Sequence, residues 1–173
     1  MELVVLVDQH NNVLGTRDKA DVHSTHTPLH RGFSLFLFNS KKELLLTQRA
    51  YTKKTFPGLW TNTVCGHPGP DEKVVDAVKR RLKEEMGITG VDIKEVSPYR
   101  YRFVDKNGIV ENEICPILVG VCDIDPKPNG DEVDDWKWMD WKKFLEEIKT
   151  NPDLYSPWSR EEAKILSDLK IIQ

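Results

Sequence analysis

Residues 66–88 read "GHPGPDEKVVDAVKRRLKEEMGI", a turn-rich entry followed by a strongly periodic segment. At about 100° per residue, Val74, Val78, Leu82 and Met86 form one apolar stripe, widened by Val75. Asp76, Lys79, Arg80 and Lys83 point the other way. The spacing predicts a helix over residues 72–87 that stops at Gly87, the residue type suited to a left-handed C-cap. Glu85 falls inside the apolar stripe, Arg81 lies on its edge, and Glu84 sits to one side. A buried carboxylate without a partner costs several kcal/mol. Glu85 therefore pairs with Arg81 four residues away, or it binds a metal beside an anion-binding arginine. Geometry alone favours neither.

Outward from this helix the chain reads as strands in hairpins with a few long helices. "LVVLVD" is a first strand and "HNN" a turn. "GFSLFLF" is apolar on both faces, as a central buried strand should be. "LLLTQRA" returns after "NSKKE", and "YTKKTFPG" is a loop punctuated by Pro-Gly. "WTNTVCG", "YRYRFVD", "IVENEICPILVGVC" and "WKWMD" read as strands, and "WKKFLEEIKT" as a helix. A last helix begins at "SREEAKILSDLK", with Ser159 as its cap and Glu162 completing a capping box. The expected class is α+β, layered, in one domain over residues 1–173.

Five residues read as one metal cage: His23, His30, His67, Glu111 and Glu113. His23 and His30 bracket "HSTHTPLH", and His67 closes "TNTVCGHP". Glu111 and Glu113 are two apart on a strand, so both carboxylates leave one face. Three imidazoles and two carboxylates suit Mn²⁺, Mg²⁺ or Zn²⁺. Cys65 stands two residues from His67. A thiol, a carboxylate and a metal in one pocket suggest proton-transfer chemistry.

Composition narrows the function classes. Net charge is -3 over 173 residues, so no nucleic-acid footprint is expected. The N-terminus lacks the pattern of a signal or transit peptide. No stretch reaches the ~18 apolar residues of a membrane span. Three cysteines without framework spacing argue for free thiols in a reducing cytoplasm.

Gly66, Glu72 and "RRLKEEMGI" resemble the Nudix box, with Arg81 where that box has the first glutamate of its cluster. The departure favours binding a diphosphate intact over hydrolysing it. "KADVH", "TPLH", "TNTVCGHP", "YRYRF", "GIVENE" and "SPW", in that order, resemble type 1 isopentenyl diphosphate isomerase over nearly the whole chain. The resemblance implies a Nudix-like α/β/α sandwich with a mixed β-sheet. It implies that the five cage residues hold a divalent metal. Cys65 and Glu113 would be the proton-transfer pair, with Tyr101 as partner of Glu113. Glu85 would hold a second Mg²⁺ bound with the substrate diphosphate. Lys19, Arg49, Lys53 and Arg81 would contact that diphosphate, and Trp158 would face the isoprenoid carbon skeleton. Glu84 is read as structural or metal-adjacent. The implied partner is a small prenyl diphosphate, handled by a monomer or weak dimer, in isoprenoid biosynthesis.

The hairpin around "KNG" can close in two ways. A three-residue loop with Gly108 left-handed pairs Asp105 with Ile109 and sets Tyr101 opposite Glu113. A two-residue Asn-Gly turn sets Arg102 there instead. The three-residue loop is preferred because it brings Tyr101 to the carboxylate, a choice that leans on the implied role. Plainer readings cover the other conspicuous residues. His10 is a turn residue and His26 a non-ligand. Cys115, Cys122, Trp136, Trp138 and Trp141 pack. "YSPWSREE" could serve as a lid. The alternatives to an isomerase are a Nudix diphosphohydrolase of nucleotide or prenyl diphosphates, and a silent diphosphate-binding module.

Overall fold

The computed structural model describes residues 2–172. Its strands are β1 Leu3–Val7, β2 Val13–Asp18, β3 His30–Arg31, β4 Phe33–Phe38, β5 Glu43–Arg49, β6 Trp60–Thr61, β7 Val64–Gly66, β8 Ile93–Ser97, β9 Arg100–Val104, β10 Val110–Ile114, β11 Ile117–Val121 and β12 Val133–Asp140. Its helices are α1 Lys19–Val22, α2 Val74–Met86, α3 Trp141–Thr150 and α4 Pro157–Asp168.

β4 is buried along its whole length, and its alternation explains the layering. Phe33, Leu35 and Leu37 pack with Val78, Leu82 and Met86 of α2. Phe36 and Phe38 pack with Phe144 and Ile148 of α3 and Ala163 and Leu166 of α4. A strand covered by helices on both faces needs apolar residues at every position. The result is an α/β/α sandwich. α2 ends as expected, with Gly87 at φ 66° and its N–H on the Lys83 carbonyl.

Two sheets build the site. One has the order β2-β1-β3-β10-β9, the other β12-β5-β4-β11-β8, with β6 on β5 and β7 on β4. β3 runs parallel to β10, and β4 parallel to β11. The chain thus passes between the sheets three times, at Gly32, at Pro98–Tyr99 and at Cys115–Pro116, the first and last side by side. Gly32 N donates to the Ile114 carbonyl and Ser34 N to the Pro116 carbonyl, which ties those two crossings together.

That crossing corrects part of the strand reading. "IVENEICPILVGVC" is two strands in different sheets, because Pro116 has no N–H to continue a ladder. "WTNTVCG" is also divided, at Asn62 and Thr63, whose side chains bond backbone carbonyls of other segments. β2, α1, β3 and β8 went unread in the sequence. α4 starts before Ser159: Ser156 is its cap residue and Pro157 its first residue, a favoured place for proline. Ser159 instead donates to the Ser156 carbonyl, and Glu162 is fully buried and closes no capping box.

Candidate active site and metal centre

The three-residue loop is the one formed. Asp105 N bonds the Ile109 carbonyl, Gly108 N bonds the Asp105 carbonyl, and Gly108 has φ 80°. The register sets Phe103 against Glu111 and Tyr101 against Glu113. On the other side of β10, Glu113 pairs with His30 of β3. One carboxylate is thereby placed between a tyrosine strand and a histidine strand. Gly32 leaves room for it, since a Cβ there would lie 1.9 Å from Glu113 Oε2.

His23, His30, His67 and Glu113 bring ligand atoms within 4.8 Å of one another, all four side chains buried. His67 Nε2 is 3.0 Å and His30 Nε2 3.3 Å from Glu113 Oε1. His23 Nε2 lies 3.0 Å from Glu111 Oε2. Glu111 stands outside the compact group of four, and its Oε1 accepts from Thr55. The Nε2 atoms of His23 and His30 and Glu111 Oε2 are buried, close to an oppositely polar atom, yet none makes a hydrogen bond. His67 Nε2 and Glu113 Oε1 form a hydrogen bond; the buried unpaired atoms beside it fit a divalent cation. His30 Nδ1 lies 2.9 Å from the Pro28 carbonyl, a contact that fixes the ring and leaves Nε2 inward.

Electrostatics separates the groups. Burial would raise Glu113, but His67 and His30 hold it well below the usual carboxylate range. Burial, aided by Glu162, pushes Cys65 up to about 12, so it is a thiol at neutral pH. Burial keeps Tyr101 a phenol. Between His30 and His67, burial lowers the second, while Glu113 and the Pro28 carbonyl outweigh it for the first.

A cavity of about 500 Å³ opens onto these groups, lined by Cys65, His67, Tyr101, Glu111, Glu113 and Trp158 and by five cations, Lys19, Arg49, Lys53, Lys54 and Arg81. Trp158 is buried, stacks on Tyr101 at 5.7 Å, and lies under the Arg49 guanidinium at 5.3 Å. The "YSPWSREE" segment is thus a packed wall, with Tyr155, Ser156, Trp158, Ser159 and Glu162 all buried. Arg81 bonds Glu85 Oε1 through Nε (3.0 Å) and a terminal nitrogen (2.6 Å), so the i,i+4 pair is formed. It also meets Glu84 at 3.2 Å and Glu132 at 3.3 Å. Lys19 pairs with Glu2 at 2.9 Å, and Lys53 with Glu132.

Sequence reading missed three contributors. Glu132 enters from the "PKPNGDE" loop and neutralises Lys53 and Arg81. Asn62 Oδ1 accepts from Thr61, Cys65 and Trp158. Thr55 anchors Glu111. Asn62 had a signal, a polar residue three before the thiol in "TNTVCG"; the other two are polar loop residues with none. His26 is exposed and bonds Thr25, and His10 lies in an exposed turn. Cys115 packs in the core, and Cys122 is half-buried against the α2 layer.

Residues 28–160 match the NUDIX domain model. The chain is 48% identical over 170 residues to the isopentenyl-diphosphate Delta-isomerase of Saccharopolyspora erythraea, covering 98% of this chain and 88% of that one. It is 46% identical over 164 residues to the protein of the same name from Corynebacterium glutamicum, covering 91% and 87%. Among solved structures, a Deinococcus radiodurans protein superposes with a TM-score of 0.78 at 18% identity, over 95% of this chain and 98% of that one. A MutT protein from Methanosarcina mazei gives 0.68 at 20%, over 82% and 95%; at that identity these two speak for the fold alone. The chain belongs to the isopentenyl-diphosphate Delta-isomerase family, on a NUDIX fold.

Proposed function

We propose that this chain interconverts isopentenyl diphosphate and dimethylallyl diphosphate. The observation that carries the reading is a thiol and a carboxylate lining one cavity, beside an indole face. The reaction adds a proton to the terminal alkene carbon, giving a tertiary cation, and removes one from the neighbouring methylene. Cys65 has a proton to give and Glu113 a place to receive one; in the reverse direction the roles exchange. Tyr101, opposite Glu113 and held as a phenol, can donate to that carboxylate. Trp158 offers the cation a π face without a nucleophile, worth about 2 kcal/mol when desolvated. Lys19, Arg49, Lys53 and Arg81 hold the diphosphate at the mouth.

His23, His30, His67, Glu111 and Glu113 would hold a divalent ion, read as Mn²⁺, Mg²⁺ or Zn²⁺. Glu85 would hold a second Mg²⁺ together with the diphosphate. A cation in the cage supplies positive charge that keeps the Glu113 carboxylate in place and ionised. Residues 1–173 act as one domain, a monomer or weak dimer, in the cytoplasm. Support for that compartment comes from three free cysteines. Among the described residues, no helix is long and apolar enough to cross a membrane.

One incubation tests the function. Metal-loaded protein and isopentenyl diphosphate in D₂O should give deuterated dimethylallyl diphosphate. Release of phosphate in its place would make the chain a hydrolase, and no product of either kind would make it a binding module.

A further inference from the structure

Thr55 stands between the cations of the cavity and the metal cage, and a bond on each side fixes its hydroxyl. Arg49 donates through a terminal nitrogen, Nη2, to Thr55 Oγ1 at 3.2 Å, and Thr55 Oγ1 donates to Glu111 Oε1. A guanidinium can only donate and a carboxylate can only accept, so the single hydrogen of the hydroxyl goes to Glu111. Thr55 and Glu111 are both buried. The same guanidinium holds the backbone around the threonine. Its Nη2 reaches the Thr55 carbonyl at 2.9 Å, and its Nε reaches the carbonyls of Thr55 and Phe56 at 3.3 and 3.2 Å. The loop needs that clamp, because Phe56 has φ 47°, a backbone region costly for a bulky side chain.

We infer that Thr55 is a positioning residue for Glu111: clamped by Arg49, its hydroxyl engages one carboxylate oxygen and leaves the other aimed at the cage, so an arginine outside the cage governs how tightly the cage holds its ion. Glu111 is the one member of the five that stands outside the compact group. It meets that group through Oε2, which is 3.0 Å from His23 Nε2, and both atoms are buried without a hydrogen bond. The last torsion of a glutamate is a broad, two-fold rotor. A fixed donor on Oε1 stops that rotation and keeps Oε2 toward His23. A partner one bond removed from the ion orients its ligand in this way and tightens the site. Without the hydroxyl, Oε1 loses its donor and the carboxylate is free to turn. Arg49 makes its bonds to Thr55 and Phe56, and among the described residues it bonds no member of the cage, so its hold on the cage runs through Thr55.

This role rests on the cage holding a divalent ion, and one titration separates the two ideas. Metal-free protein is titrated with Mn²⁺ alone, without diphosphate, and the free ion is read by electron paramagnetic resonance, with Tm of the metal-free protein recorded beside it. Thr55→Val keeps the shape and removes the hydroxyl, and should weaken Mn²⁺ binding about tenfold. Thr55→Ser keeps the hydroxyl and should bind Mn²⁺ nearly as wild type does. Arg49→Lys keeps the charge and loses the fork. It should weaken Mn²⁺ binding with no substrate present, and should add little in the Thr55→Val background, because members of one chain of bonds are not additive. If Thr55→Val does not fold, the smaller Thr55→Ala carries the test. Wild-type affinity in Thr55→Val or in Arg49→Lys, equal losses in the Val and Ser variants, losses that multiply in the double variant, or a lower Tm with unchanged affinity overturn the inference. If His67→Ala loses Mn²⁺ while Thr55→Val keeps it, only the positioning role falls. Wild-type Mn²⁺ affinity in His67→Ala removes the cage and this inference with it.

Discussion

Cys65 and Trp158 donate to the same atom, Oδ1 of Asn62, at 3.2 and 3.3 Å. The thiol proposed to transfer the proton and the aromatic wall thus share one hydrogen-bond acceptor, a side chain from the switch between β6 and β7. Asn62 is itself held, its amide donating to the carbonyls of Leu35 and Val64. Asn62→Ala should leave the Cys65 and Trp158 donors without this acceptor, while Thr61, its third donor, keeps Ser156. We expect a stability loss of about 1–3 kcal/mol by urea unfolding, and a fall in kcat larger than the change in KM. A variant of normal kcat would show that thiol and indole hold their places without Asn62.

The space that Gly32 leaves for Glu113 gives a test of the cage. In Gly32→Ala the new methyl would meet the carboxylate, which must move away from His30 and His67. The expected outcome is weakened retention of metal on dialysis, with the fold kept, as judged by circular dichroism. His67→Ala should go further, losing stoichiometric metal and activity. Wild-type metal content in His67→Ala would refute the cage as drawn.

How much of this was legible in the sequence depends on range. The helix around Leu82, the buried strand at Phe36 and the turn at Gly108 are local patterns, and each formed where its period or its glycine placed it. The Tyr101–Glu113 pairing was not legible locally, since the turn could close in two registers and the one that formed was preferred only for the role it gave Tyr101. The convergence of His23, His30, His67 and Glu113 was legible through residue type, because three histidines and a carboxylate have few other reasons to meet, whereas Glu111 stands outside that group. Glu132 was not legible: it meets Lys53 across 79 residues, and only the tertiary fold sets such a pairing. Glu162 was misread for the opposite reason. A serine followed three residues later by a glutamate satisfies a local rule, but Pro157 started the helix early and turned that glutamate into the core.

Lys53 should impose a pH limit on substrate capture. Burial lowers it to about 8, against the opposing charge of Glu85. It is a cation below that value and neutral above, so kcat/KM should fall as pH rises through about 8. The stability sign is opposite. Its folded value lies below that of the unfolded chain, so its unfavourable contribution is full below about 8 and is relieved as pH rises toward the ordinary lysine value. A falling kcat/KM in this window is therefore not unfolding caused by Lys53. Lys53→Arg keeps the charge at all these pH values and should abolish the limb. Persistence of the limb in that variant would assign it to another group.

Arg81 offers the sharpest division between moving a double bond and splitting a diphosphate. It stands where the Nudix box carries a glutamate, buried on α2 and facing the cavity mouth. Glu84, Glu85 and Glu132 surround it, so the free site already supplies it with counter-charge. Binding a diphosphate must compete with those carboxylates, and a cation at Glu85 would release the arginine toward the phosphate oxygens. Arg81→Glu removes the cation that these three carboxylates share and sets four carboxylates together. The expected result is a large rise in KM, isomerisation reduced about a hundredfold or more, as for loss of a charged contact in a closed site, and a lower Tm from the repulsion. Diphosphate hydrolysis should not appear, because an added carboxylate does not by itself position a water for attack. Isomerisation and phosphate release are measured side by side for both proteins, with Arg81→Gln as the neutral comparison. Arg81→Gln should fall between the two in KM without the extra loss of Tm. If the charge-reversed protein isomerises normally while still folded, the diphosphate is held by Lys19, Arg49 and Lys53, and Arg81 serves only to pair the buried Glu85.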